Sequence, residues 1–360
     1  MAEAISVRSK RKTRRLSGLD IFLWGIRISA IVFILWGSFK SLTSGRLSSE
    51  QWRDLVVFGI AQGSVYALIA LGYTMVYGVL KFINFAHGEV FMAGTMVGFF
   101  AADALNRVGI WDSQPILAML LALLICMITS MIIAVLLERI AYRPLRGAPR
   151  LIPLITSIGA SFFLQYTFAL LFGVGTKSWP TVDILEGSWV ILGQRVIKTQ
   201  AVVIGAALIM MLILWLYVER TKTGRAMRAV AEDPETAALM GIDVKRTISR
   251  VFAVGGSMAG VAAFLWGIAF QTVWFRDGFV IGIKAFTAAV LGGVGNIVGA
   301  MVGGLALGSF EQLGPSLVLA GWGVPSFNQL KDVVAFSALV LVLIFRPTGI
   351  LGERLADERG

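Results

Sequence analysis

Ten long apolar stretches recur along this chain, at residues 21–39, 55–80, 90–105, 116–137, 151–173, 201–218, 251–273, 279–294, 297–313 and 333–345. A helix needs about 20 apolar residues to cross the hydrocarbon layer of a bilayer, and these stretches approach that length. Within lipid every backbone N–H and C=O must be paired inside its own segment, which leaves helices as the natural solution. Hydrophobic residues make up 57% of the chain and charged residues only 15%, with a mean hydropathy of +0.80. That balance excludes a soluble enzyme of this length. The expected fold is an all-α polytopic membrane protein of about eight to ten transmembrane or partly spanning helices, the shorter ones tilted, broken or partial. Forty glycines suit it, because small residues let helix backbones approach closely in lipid. The lone cysteine, Cys126, excludes an intramolecular disulfide and reads as a lipid-facing or core residue.

One interruption stands out. The apolar run that begins near residue 55 breaks at Asn84, Phe85, Ala86, His87, Gly88 and Glu89, which places the chain's single histidine and an acid where lipid tolerates neither. Non-helical backbone at that depth survives only where protein buries it or where it lines a cavity. A weaker echo lies in TAAVLGGVGNIVGAMVGG, around Gly293 and Asn296. Discontinuous helices are therefore expected near Asn84 and Asn296, a pattern that points to a transport site. Counting crossings puts both interruptions on one face, whereas an inverted repeat would separate them; a re-entrant 279–294 would change the sides. A plainer reading has Asn84 capping a helix, His87 bonding a carbonyl and Gly88 permitting close packing. For the break as a whole, function is the favoured reading.

Basic residues set the orientation. The net charge of +11 sits in short runs between apolar spans, which reads as topology and not as nucleic-acid binding. Residues 1–50 form a basic N-terminal extension, with Arg8, Lys10, Arg11, Lys12, Arg14 and Arg15 ahead of an expected anchor helix. Arg27 inside that helix keeps an interfacial placement open. Residues 51–346 form the transmembrane domain. The loop ERIAYRPLRGAPR, with Arg139, Arg143, Arg146 and Arg150, and the loop 219–250, with seven bases from Arg220 to Arg250, are expected in the cytoplasm, as is the tail 347–360. Residues 174–199, with Trp179 and Trp189 as interface anchors, and the uncharged 315–329 are expected outside.

No catalytic set is present. His87 has no nucleophile motif beside it, paired cysteines and HExxH are missing, and the stretch from Gly173 to Ser178 misses the phosphate-loop spacing. The loop KTGRAMRAVAEDPETAALMGIDVKR reads as two short helices. Asp233 is the N-cap of the second, Pro234 takes its first position, Glu235 suits its positive end, and Gly241 closes it. It is either a solvated connector or a docking element that offers exposed Leu239 and Met240 to a partner.

Four motifs in order carry a resemblance: ALIALGYTMVYGVLKFINFAHGEVFMAG, ERIAYRPLRGAPRLIPLITSIGASFFLQ, TKTGRAMRAVAEDPETAALMGID and IKAFTAAVLGGVGNIVGAMVGGLALG. From about residue 51 to 349 the chain resembles the LivH-like permeases of branched-chain (hydrophobic) amino acid ABC importers. The resemblance implies a type II-like importer permease in a bacterial inner membrane. It also implies a second, related permease in a pseudo-symmetric heterodimer, two cytoplasmic ATP-binding subunits that carry ATP and Mg, and an extracytoplasmic substrate-binding protein. Lipid surrounds it, and the chain itself binds no cofactor. Asn84, Phe85, His87, Gly88 and Glu89 match the family's first signature. Lys284, Thr287 and Gly293, with Asn296, belong to its last, so all nine are candidates for the translocation pathway. Arg225, Ala231, Glu232, Asp233, Pro234, Glu235, Ala238 and Gly241 are similar to its ATPase-coupling loop. The first 50 residues depart from the family's short N-terminus. The rival readings are a urea or short-chain amide permease of the same superfamily, and an ATP-independent channel or secondary carrier.

Overall fold

The computed structural model describes residues 18–149, 151–191 and 194–352. Arg8 to Arg15, Arg150 and residues 353–360 of the expected tail lie outside the described residues. The helices, in chain order, are α1 (Gly18–Thr43), α2 (Ser49–Leu80), α3 (His87–Arg107), the single turn α4 (Ile110–Ser113), α5 (Pro115–Leu137), α6 (Leu151–Phe172), α7 (Lys198–Arg220), α8 (Lys222–Glu232), α9 (Pro234–Leu239), α10 (Val244–Phe270), α11 (Asp277–Gly292), α12 (Ile297–Gly314) and α13 (Lys331–Phe345). Nine helices among the described residues are long and apolar enough to cross a membrane. The tenth expected segment is α11, whose 16 residues reach only about 24 Å, short of a full crossing.

Local chemistry sets several boundaries. Ser48 and Gln51 form a reciprocal capping box at the start of α2, which satisfies two donors that a helix start leaves free. At the other end Lys81 turns into the left-handed region at φ 56° and donates its N–H to the Tyr77 carbonyl. Gln271 does the same after α10, at φ 55°.

The bundle is held by close approach. Gly63 and Ala67 of α2 touch Gly308 and Gly304 of α12 so tightly that a Cβ on Gly308 would sit 2.3 Å from the Gly63 Cα, and one on Gly304 would sit 2.4 Å from the Ala67 Cα. Between helices in lipid there is no hydrophobic drive, so such contacts supply much of the association. Helix α5 shows the division of labour: Ala118, Ala122, Cys126, Ser130 and Ala134 are buried against α3 and α10, while a stripe of Ile and Leu faces out. Cys126 is thus a core residue.

One expectation changes. Trp179 is 2% exposed and fills a slot walled by Gly98 and Gly267, so it plugs the core; Trp189 stays on the surface at 46% exposure. Arg27 lies at the bundle edge, where its Nη2 donates to the Ile344 carbonyl near the end of α13 at 2.9 Å. Around it α1 packs on residues 315–322, through Ser41 Oγ donating to the Ser316 carbonyl and Phe33 stacked on Trp322.

Candidate functional site

Residues 81–90 and 271–280 place their helix ends and turns at matching positions, although only Thr272–Val273 form a strand, paired with Lys177–Ser178. Lys81 and Gln271 end α2 and α10 in the left-handed region, three further residues run on, and a turn at Phe85–Ala86 or Phe275–Arg276 opens α3 or α11. The His87 N–H donates to the Asn84 carbonyl at 3.1 Å, and the Asp277 N–H to the Trp274 carbonyl at 3.0 Å. The sequences FAHGEV and FRDGFV share Phe, Gly and Val in register. The two breaks enter from opposite faces. Gly78 near the end of α2 looks onto Ala231 of α8, whereas Phe270 at the end of α10 packs on Phe58 near the start of α2, with ring centroids 5.8 Å apart.

The partner of the first break is therefore 271–276 and not the 293–296 interruption. An inverted pair of broken helices of this kind brackets transport sites near the bilayer midplane. The first turns of α3 and α11 meet inside the bundle, where a Cβ on Gly88 would lie 2.2 Å from the Gly278 carbonyl oxygen and 2.8 Å from the Gly282 Cα. The depth follows from His87, whose ring lies over Gly72, about 12 Å from the end of α2 at 1.5 Å per residue.

Around that meeting point polar groups are only half satisfied. Glu89 is fully buried; Ser161 of α6 donates to its Oε1 at 3.2 Å, while Oε2 lies against Gly278 without a hydrogen bond. His87 sets its ring edge-on to Tyr73 at 4.8 Å, and its Nε2 has no partner. Asn84 does not cap α3, because the cap position falls to Ala86 and carries no side-chain bond. Instead the Tyr142 hydroxyl donates to Asn84 Oδ1 at 2.6 Å and Asn84 Nδ2 stays unpartnered. Phe85 sets its ring 6.0 Å from Phe286 and donates its N–H to Ser157 Oγ at 3.3 Å. A narrow cleft between Tyr73, Tyr77, Asn84, Phe286 and Ala289 joins the first break to the far end of α11.

The remaining candidates separate from this group. Lys284 on α11 pairs with Glu311 of α12 at 2.8 Å and Asp332 of α13 at 2.7 Å; Gln62 and Tyr66 of α2 also donate to Glu311, each at 3.0 Å. Thr287 is buried in α11. Gly293, at φ +111°, packs on Gly352, and Asn296 caps α12 through Gly299 N–H while its Nδ2 donates to the Leu351 carbonyl. The 293–296 turn is thus bound to the chain's last described residues. Reading residue types alone missed Tyr73, Ser157, Ser161 and Gly278. The FAHGEV/FRDGFV echo points to Gly278, and Ser157, Ser161 and Gln165 form an i, i+4, i+8 polar stripe on α6, all buried toward the break.

The helical connector is built as its sequence implies. Thr221 caps α8, and Asp233 caps α9 by accepting from the N–H groups of Glu235 and Thr236. The Thr236 hydroxyl and those N–H groups hold the Asp233 carboxyl below its usual range. Pro234 opens α9, Gly241 turns at φ +81°, and Leu239 and Met240 stand 87% and 79% exposed. Arg225, Ala231, Glu232 and Ala238 lie on these two helices. Beside them, buried Glu138 accepts from Arg143, Arg146 and Ser249, which fixes the ERIAYRPLRGAPR segment to α10.

A family model described as branched-chain amino acid transport system / permease component matches residues 55–343. The chain belongs to that family. Over 303 residues it is 45% identical to the high-affinity branched-chain amino acid transport system permease protein BraD of Pseudomonas aeruginosa, covering 83% of this chain and 95% of that one. It is 42% identical to the permease protein LivH of Escherichia coli over 82% of this chain and 94% of that one. A solved structure, PsaBC from Streptococcus pneumoniae in complex with Fab, is similar at a TM-score of 0.44 and 12% identity, over 86% of this chain and 96% of that one. This permease is a subunit of an ABC importer, a multi-pass protein of the bacterial inner membrane that works in a complex with other subunits. Helix α1 lies outside the matched residues.

Proposed function

We propose that the permease forms half of an ATP-driven pathway for branched-chain or other hydrophobic amino acids, and that the meeting of α3 and α11 is its narrowest point. One observation carries this reading. Of the eight buried side-chain nitrogen and oxygen atoms without a partner among the described residues, three belong to Asn84, His87 and Glu89. An unmade buried bond costs about 1–3 kcal/mol, so three in one short stretch mark a place kept ready for a visitor. A hydrophobic amino acid suits these surroundings. Its ammonium suits the open Glu89 oxygen, its carboxylate suits the N–H ends of two half-helices, and its side chain suits Tyr73, Phe85 and Phe286.

Helices α8 and α9 are the coupling element, on the cytoplasmic side by the positive-inside rule. Two ATP-binding subunits press on this side, a second related permease completes the conduit, and a substrate-binding protein delivers the amino acid from the opposite side. Closure of the ATPases then opens the conduit to each side in turn by rigid-body movement. Two measurements test the reading: leucine, valine, alanine and urea uptake by cells that hold this permease with its partner subunits as their sole such route, and sided labelling of Met240→Cys. Leucine and valine uptake with labelling from the cytoplasm is the expected result; urea uptake alone, or labelling from outside, overturns it.

A further inference from the structure

Away from the pathway, where the end of α5 meets the start of α10, the surface forms a hollow lined by five bases, Arg139, Arg143, Lys245, Arg246 and Arg250, with Ser249 and one acid, Asp243. Two of these bases are committed: Arg143 to buried Glu138, and Arg246 to Asp243 at 3.1 Å. Arg139, Lys245 and Arg250 are exposed and have no acidic partner within ion-pair distance among the described residues. With Asp243 taken up by Arg246, the three free bases leave the hollow net positive.

What leads into it is apolar. On α5 and its continuation, Leu120, Leu124, Ile128, Ile132, Leu136 and Ile140 recur at every fourth position and are 41–72% exposed. Rows of residues four apart form a ridge that slants across a helix at about 26° to its axis, so these side chains make one winding aliphatic track, and its last member, Ile140, adjoins Arg139 in the π-helical turn that follows α5. The opposite face of α5 is buried against α3 and α10, which fixes the track outward. A positive hollow at the end of an aliphatic track matches a ligand with a phosphate at one end and long hydrocarbon chains at the other.

We propose that this hollow is a binding site for one anionic phospholipid, its phosphate held by Arg139, Lys245 and Arg250 and its acyl chains lying along α5. Both halves of the ligand are then matched: the bases neutralise the headgroup at the bilayer surface, and the track replaces neighbouring lipid. The site holds a lipid against the two segments that flank α9, because Arg139 continues from α5 and Lys245 lies in the first turn of α10, which Asp243 caps.

Native mass spectrometry of the full-length permease, extracted in mild detergent and titrated with phosphatidylglycerol or phosphatidylcholine, tests the proposal. The unaltered protein retains one phosphatidylglycerol in preference to phosphatidylcholine, and millimolar inorganic phosphate does not displace it. Removing the three free bases in Arg139→Ala/Lys245→Ala/Arg250→Ala weakens that retention by roughly 100-fold. The charge-keeping pair Arg139→Lys/Arg250→Lys retains it, which separates loss of the site from loss of the fold. Equal retention of both lipids, or unchanged retention by the triple variant, overturns the proposal. So does a triple variant that keeps its lipid but fails to bind the ATP-binding subunits, since the hollow is then a protein dock.

Discussion

Glu89 in the first turn of α3 lies directly against Gly278 in the first turn of α11: a Cβ added to Gly278 would come 2.3 Å from the Glu89 Oε2. Nothing larger than glycine fits there, and the carboxylate gains no hydrogen bond from the contact. Two helix starts therefore meet across a carboxylate that is left open on one side.

Replacing Gly278 or Gly88 by alanine pries this meeting apart. The Gly88 change is the more damaging, because its Cβ would strike the Gly278 carbonyl at 2.2 Å, and backbone cannot swing away as a side chain can. Overpacking of this kind costs about 1–3 kcal/mol. Gly159→Ala on α6, where a Cβ meets nothing within 4 Å, is the neutral control. Thermal stability in detergent and initial uptake rates measure both effects.

Glu89→Gln keeps an acceptor for Ser161 but removes the charge that would hold an ammonium. Expression and assembly remain, while leucine uptake falls roughly 10- to 100-fold, the worth of one charge-assisted hydrogen bond. Unaltered uptake by this variant removes Glu89 from the pathway and leaves the importer reading standing.

How much of this was legible in the sequence follows from what each signal measures. Apolar runs reveal spans, because lipid enforces helices there, and the α9 cap could be read from Asp233, Pro234 and Gly241 by local chemistry alone. The second re-entry at 271–276 was hidden. Its turn begins at Gln271, a residue type with no special claim on positive φ, and its apolar flanks read as parts of two ordinary spans. The glycine-rich 293–296 stretch drew notice instead, although Asn296 proves to be a helix cap bound to Leu351. Trp179 looked like an interface anchor because Gly98 and Gly267, which open its slot, are distant in sequence.

The Lys284, Glu311 and Asp332 set is the strongest polar tie between α11, α12 and α13. Lys284→Ala strands Glu311 in the interior without its cation, a loss of about 3–5 kcal/mol, as when one partner of a buried pair is removed. Pairing Lys284→Met with Glu311→Leu recovers much of it. Thermal unfolding of the two variants checks the difference.

At α9, Asp233→Ala removes the acceptor for the Glu235 and Thr236 N–H groups, so the helix frays. ATP hydrolysis by the complex continues while uptake falls. Because the folded carboxyl is held below its usual range, the charged cap persists from neutral pH down past the ordinary aspartate range and is lost only below it. Asp233→Asn, which still accepts a hydrogen bond, retains coupling at neutral pH. Bulky replacements at Glu235 and Gly241 uncouple in the same way, and the ratio of amino acid moved to ATP spent reads out all of these variants.

The central claim is that this chain is a conduit without its own engine. Its most direct test is radiolabelled leucine uptake into proteoliposomes, with the permease alone and with the complete complex, in the presence and absence of ATP. The account predicts accumulation only by the complete complex with ATP; accumulation by the permease alone, without ATP, would contradict it.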